Sequence, residues 1–250
     1  CRGKIHRLLF ALPQSGRMEI NMPHIRFASF NIGAAAKREE HFTPETLRDV
    51  AVAIRGSDAD IVCLQEVDQC VRRSEGVDMP QYLADESGLE YYYFIKIRDF
   101  QGGCYGTAIL SRYPLSSGDT YFYPQGLAKW GTSAGSAVAE VPGGALRVFN
   151  SHLSCEDDVR NTETMERYAD YMRSFGGRFV AAADFNTDPV KIAAHMDFVR
   201  PVNLTLATFR NKNIDNILVT PDIQASAPWV IDTSADLTSD HRMLLCELEY

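Results

Sequence analysis

Paired cysteines, a surplus of basic residues and long apolar runs are all missing from this chain of 250 residues. Its six cysteines stand at 1, 63, 70, 104, 155 and 246, with no Cys-x-x-Cys pair and no clustering with histidine, which argues against a zinc site. Cys63 and Cys246 fall inside apolar runs, where cysteine behaves as a small hydrophobe, so a disulfide framework is not expected in a chain of this size. Lys and Arg total 25 against 33 Asp and Glu, for a formal net charge of −8. Proteins that rely on non-specific attraction to nucleic acid usually carry a basic face instead. No stretch is long and apolar enough to suggest a transmembrane helix, and the N-terminal apolar run, residues 8–12, is too short for the core of a signal peptide. The compartment expected on these grounds is the cytoplasm. An exported or lipid-anchored form would require Cys1 to be a processed terminus, which Arg2-Gly3-Lys4 does not support.

What the chain does have is a series of short apolar runs with a few helical patterns between them. Residues 1–22 carry basic and turn-forming residues without periodicity and are read as a tail, with Met22 as a natural start; residues 23–250 are read as one catalytic domain. Strands are expected at residues 25–31, 59–67, 91–97, 105–111, 115–123, 134–141, 145–151, 178–183, 214–219, 225–231 and 242–249. Residues 98–104, with Gly102-Gly103, are expected to form a hairpin loop. Thr43-Pro44 opens a helix that Gly56 ends, with Leu47, Val50, Ala51 and Ile54 on one face. A short helix is expected at 80–87. Another runs through Val159, Thr162, Met165, Ala169, Met172 and Phe175 to Gly176-Gly177, and one more starts at Asp188-Pro189. Many short strands with few helices predict an α/β (α+β) fold of four layers: two mainly antiparallel sheets packed face to face, with helices outside.

The informative feature is where the polar residues fall. Asn31, Gln65-Glu66, His152, Asp184-Phe185-Asn186, Asp215 and Asp240-His241 each sit at an end of an apolar run. Strands of one sheet bring their ends together, so six such ends would gather carboxylates and amides suited to a hard divalent cation, plus two histidines able to move protons. That is the chemistry of phosphoester hydrolysis, which requires charge neutralisation at the phosphate, a positioned water and a stabilised leaving oxygen. Glu66 is the first candidate metal ligand, with Asn31 and Asp240 beside it, and the oxygen-only set points to Mg²⁺ or Mn²⁺. Asp184 and Asn186, at period two on an extended chain, would share a face, one orienting or deprotonating water and the other holding it or the phosphate. Arg73 is a candidate phosphate contact, as are Arg98 and Lys129 in loops. His6, His24, His41 and His195 have no such companions. The aromatics at 91–94 and 121–123 fit strand packing better than base stacking.

The ordered set resembles the endonuclease/exonuclease/phosphatase superfamily over residues 23–250. The pieces that carry the resemblance are FNIG at 30–33, LQEVD at 64–68, YGTAILSRYPL at 105–115, NSHLS at 150–154, ADFNTDP at 183–189, NIDNILV at 213–219 and SDHRML at 239–244. Among relatives, it looks most like small bacterial metal-dependent hydrolases. The resemblance implies the four-layer fold, places His152 and His241 beside the phosphate, and lets Asp215 orient His241. It implies phosphodiester or phosphomonoester hydrolysis on a lipid or small molecule by in-line attack of water. A nuclease using the same site is the alternative, and an inactive binding module on the same fold is a second. Ala183, Ser151 and Asn216 depart from the residues common at those places, the last where an aromatic is frequent behind the histidine. No arginine occupies residues 130–136, where many bacterial relatives carry one. His152 after Asn150-Ser151 disfavours the abasic-site repair branch.

Overall fold

The computed structural model describes residues 24–36, 41–128, 132–233 and 238–250. The tail at 1–22, with Cys1 and His6, and Lys129 lie outside them. In chain order the strands are β1 His24–Asn31, β2 Ile61–Gln69, β3 Tyr91–Phe100, β4 Gly103–Ser111, β5 Leu115–Phe122, β6 Ser133–Val141 and β7 Gly144–His152. They continue as β8 Phe179–Asp184, β9 Arg200–Pro201, β10 Asp215–Val219, β11 Gln224–Ala225, β12 Trp229–Ile231 and β13 Met243–Glu249. The helices are α1 Pro44–Ser57, α2 Met79–Ser87, α3 Asp158–Phe175 and α4 Pro189–His195.

One sheet runs β11-β13-β1-β2-β4-β3, with β12 also on β13; the other runs β5-β6-β7-β8-β10-β9. Among the described residues, only β1–β2 and β7–β8 pair in parallel. Side-chain alternation builds four layers from this arrangement. Ile25 and Phe27 of β1, Ile61 and Cys63 of β2, Leu146 and Val148 of β7, and Val180 and Ala182 of β8 all enter one core between the sheets. The alternate residues Ala28, Phe30, Val62 and Leu64 pack under α1 and α2. On the other side Phe149, Phe179, Ala181 and Ala183 pack under α3 and α4. Both faces of the central strands are buried, so their apolar runs are continuous. Gly135 lets the sheets close at β6, since a Cβ there would fall 2.4 Å from the Ile95 side chain.

Helix starts follow their caps. Thr43 Oγ1 accepts from the Thr46 amide at 3.1 Å, and Asp157 and Asp188 cap α3 and α4 in the same way. Gly56 lies inside α1, which ends one residue later because Asp58 takes the left-handed conformation (φ 52°). The β3–β4 loop is tighter than expected. Gln101 and Gly102 both have positive φ (45° and 89°), as in a two-residue type I′ turn, so Arg98 lies on β3 and not in a loop. The strand expected at 225–231 is broken into β11 and β12, with Pro228, which has no amide hydrogen to donate to a ladder, between them.

Candidate active site

Each inward-facing row of the central strands is apolar until its last one or two steps, where the residues on the same face are polar. β1 continues from Ile25 and Phe27 to Ser29 and Asn31, β7 from Leu146 and Val148 to Asn150 and His152, and β8 from Val180 and Ala182 to Asp184. Strand pairing sets these ends side by side: His152 is opposite Asp184 across the parallel β7–β8 ladder, and Asp215 is opposite Asp184 across β8–β10. Beneath them a buried amide pair bridges the two sheets. Gln65 Nε2 donates to Asn150 Oδ1 at 2.9 Å, and Asn150 Nδ2 donates to the carbonyls of Leu64 and Ala108, each at 2.9 Å. The floor of the site is thereby fixed to both sheets.

Glu66 reaches this edge by a different route. Alternation would aim it outward, toward α1 and α2. The β2–β4 register shifts between Leu64 and Val67, and Glu66 adopts φ 55°. A bulge of this kind re-aims one side chain, and here it turns Glu66 toward the Asn31 amide. Asn31 Nδ2 donates to both Glu66 Oε1 (3.1 Å) and Asp184 Oδ2 (3.0 Å), while its Oδ1 accepts from the Gly33 amide (3.0 Å). The two carboxylates therefore face one small space from opposite sheets.

On the other side of Asp184 stand the histidines. His152 Nε2 is 3.5 Å and His241 Nε2 3.8 Å from Asp184 Oδ2. His241 Nδ1 bonds Asp215 Oδ2 at 2.9 Å. Burial works against an imidazolium at 241, but the Asp215 charge and hydrogen bond, with Asp184 and Asp240 adding to them, outweigh it and push the pKa up to about 10. The same burial, with repulsion from Asp215, raises the Asp184 carboxyl; the two histidines and Asn31 oppose that shift. Asp184, Asp215 and His241 would on distance alone hold a metal ion. His241, however, is already committed to Asp215 through Nδ1, and a protonated ring offers a cation no lone pair.

Ser239 and Asp68 are positioning contacts that spacing did not reveal. Ser239 Oγ donates to the Asn31 carbonyl (2.7 Å) and accepts from the His241 amide (3.1 Å), tying the lead-in of β13 to the end of β1. Asp68, fully buried, receives both Arg73 Nε (2.8 Å) and Nη2 (2.9 Å) and the Ser74 hydroxyl. Arg73 is thus a paired cation lining the cavity beside Glu66. Asp240 lies at the rim, its Oδ1 facing Gly33. Phe209 packs on His241 with ring centroids 4.7 Å apart, supplying the aromatic support that Asn216 does not. Asn216 instead holds the backbone of Asn203 through both its amide atoms.

Asn186 requires a correction. β8 ends at Asp184, and the chain turns there: the Asn186 amide donates to Asp184 Oδ1 (2.9 Å), and Asn186 has φ 51°. The pair does not share a face of an extended strand. An Asx turn brings them together, because a short carboxylate can bond the amide two residues on. Asn186 Nδ2 is spent on the Leu153 carbonyl (3.0 Å), which ties the β8 turn to the end of β7.

The model of the Endonuclease/Exonuclease/phosphatase family matches residues 28–241. The uncharacterized protein YbhP of Escherichia coli (strain K12) is 28% identical over 239 residues, covering 86% of this chain and 92% of YbhP. Among solved structures, an endonuclease/exonuclease/phosphatase from Beutenbergia cavernae DSM 12333 superposes with a TM-score of 0.74 at 21% identity, over 91% of this chain and 72% of that one. TDP2 of D. rerio, solved with a single-strand DNA product, superposes with a TM-score of 0.70 at 16% identity, over 91% and 99%. Likenesses at these identities bear on the fold. With the matched family model, they identify the chain as a member of the endonuclease/exonuclease/phosphatase family.

Proposed function

We propose that this protein, with residues 23–250 as one catalytic unit, hydrolyses phosphoester bonds of a lipid or small molecule with the help of Mg²⁺ or Mn²⁺. The observation that carries the reading is the placement of Glu66 and Asp184 on either side of one Asn31 amide. Two carboxylates so close, without a Lys or Arg ion pair among the described residues, suit a hard cation. Glu66 would hold the ion, with Asp240 and the Asn31 amide near it. When bound, the ion neutralises phosphate charge and acts as a Lewis acid.

The remaining roles belong to the protein's own groups. Asp184 is placed to orient and accept a proton from the attacking water, with Asn186 closing the turn beside it. His152 and His241 present ring nitrogens toward the same carboxylate oxygen and stabilise charge gathering on the phosphate. Asp215 fixes the His241 ring through Nδ1, leaving Nε2 for the substrate. The intact set weighs against an inactive binding module, and the acidic balance weighs against a nuclease reading that the TDP2 likeness would favour.

Calorimetric titration of Mg²⁺ and Mn²⁺ into the wild type and Glu66→Ala tests the metal: binding is expected only in the former. A panel of nitrophenyl phosphate mono- and diesters, sphingomyelin and plasmid DNA tests the reaction. Turnover independent of metal, or of DNA alone, would sink the proposal.

A further inference from the structure

Glu66 and Arg73 line two cavities rather than one. The larger, about 470 Å³, extends from Glu66 and His152 over Ile97, Phe100, Tyr105, Ala128 and Leu153. The smaller, about 220 Å³, shares those two residues and lies against Gly33, Ala34, His41 and Phe42. A phosphomonoester has one carbon substituent and would leave one of these spaces idle. A phosphodiester centred at Glu66 has two substituents, pointing apart.

The walls of the larger cavity say more about what enters it. They are mostly carbon: Ile97, Ala128 and Leu153 are nearly fully buried apolar residues. Phe100 and Tyr105 meet edge to face at 6.5 Å. The guanidinium carbons of Arg73 (4.9 and 5.5 Å) and Arg98 (4.5 and 5.5 Å) lie over the Phe100 and Tyr105 rings. Contacts of this kind hold the rings in place as a rigid wall. A cavity of this size accommodates a ring system rather than a methyl group, since an enclosed space of about 150 Å³ already takes benzene.

Resting on the phosphoesterase reading, we infer that the substrate is a small phosphodiester with a flat, apolar group seated in the Phe100–Tyr105 cavity and a smaller group seated against Phe42. In the reaction the water oxygen forms a bond to phosphorus and one ester P–O bond breaks. The departing alcohol takes a proton, and a phosphomonoester is left. No oxidant, reductant or other co-reactant is needed.

The test compares bis(p-nitrophenyl) phosphate, methyl p-nitrophenyl phosphate, p-nitrophenyl phosphate and a single-stranded oligonucleotide, with Mn²⁺ present. Both small diesters should exceed the monoester and the oligonucleotide in kcat/KM. Per leaving group the diaryl ester should gain little over the methyl ester, whose ring already fits the larger cavity and whose methyl fits the smaller. Ala128→Trp and, on β3, Ile97→Trp fill the cavity, and either one that melts as a folded protein should lower kcat/KM for both diesters about tenfold or more, the worth of burying one ring. A leading monoester or oligonucleotide, or diester turnover untouched by both substitutions, overturns the inference while leaving phosphoester hydrolysis standing. If none of the esters is cleaved, the phosphoesterase reading fails, and calorimetry with inert diphenyl phosphate decides the cavity: binding tighter than phenyl phosphate and weakened by the tryptophans supports it, and equal binding of the two overturns it.

Discussion

At the end of the sandwich away from the candidate site, Arg26, Asp58, Asp60, Arg112 and Glu247 form a charged cluster around the starts of β1 and β2. There the carboxylates meet arginine: Arg26 Nε lies 2.9 Å from Glu247, and Arg112 Nε lies 2.9 Å from Asp60. At the site end Asp184 and Asp215 are about 1% exposed, and their ion-pair partners among the described residues are histidines alone. One Asp215 oxygen, Oδ1, is buried and makes no hydrogen bond. The difference separates two uses of charge on one fold. Pairs reached by solvent decorate an edge at little cost or gain, whereas buried carboxylates whose partners are histidines rather than arginines carry a desolvation cost and persist where chemistry needs them.

The sharpest way to break that contrast is at Glu66. Glu66→Ala should abolish metal binding and lower kcat/KM by roughly 10⁴-fold or more, since the whole contribution of the ion goes with it. Excess EDTA should do the same to the wild type. Next in size is Asp215→Asn, which should keep the fold but cost about 10²–10⁴ in rate, mainly in kcat, because Asp215 acts on a charge that grows in the transition state. A destabilised but fully active Asp215→Asn protein would make the residue structural.

Smaller effects should appear in stability. Burial and Asp215 hold the Asp184 carboxyl above its ordinary range, so its ionised form at neutral pH opposes folding. Asp184→Asn should therefore melt higher than the wild type in metal-free buffer while losing activity; a lower melting temperature would show that its hydrogen bonds outweigh its charge. His241 has the opposite sign. Its folded pKa of about 10 exceeds the ordinary 6.5, so its contribution is complete below about 6.5 and is lost as pH rises through 10. Metal-free wild type should lose melting temperature between pH 7 and 10 more steeply than Asp215→Asn.

Much of the site was legible because strand ends obey a simple period. Asn31, His152, Asp184 and Asp215 continue inward-facing rows, and a polar residue ending a row of Ile, Val and Ala is visible in one dimension. Glu66 was legible as a residue but not as a direction: the bulge that turns it inward leaves no mark in the composition of LQEVD. The Asx turn at Asn186 imitated a period-two pattern, since both put residues i and i+2 near each other. The Asp68–Arg73 clamp joins a strand to a short turn, and the Phe100–Tyr105 wall closes across a hairpin whose two-residue turn was read as a longer loop. Such contacts depend on register and turn type, which apolar spacing alone does not determine.

The smallest expected effect lies at the arginine-paired end. Arg112 is half exposed, and it contacts Asp60 at 2.9 Å and the exposed Asp58 at 3.3 Å. Pairs of this kind exchange good hydration for a screened attraction and the loss of side-chain freedom, so each is worth about 0–1 kcal/mol. Arg112→Ala removes both pairs and should accordingly lower stability by no more than about 2 kcal/mol and leave kcat and KM unchanged. The cost should shrink further as salt is raised. The site end predicts the reverse pattern, with large losses of rate and little sensitivity to salt for buried groups. Denaturant melts of Arg112→Ala at low and high salt, with turnover measured on the same preparation, place the residue on one side or the other. A salt-insensitive loss of several kcal/mol, or a changed kcat, would erase the distinction between the two ends.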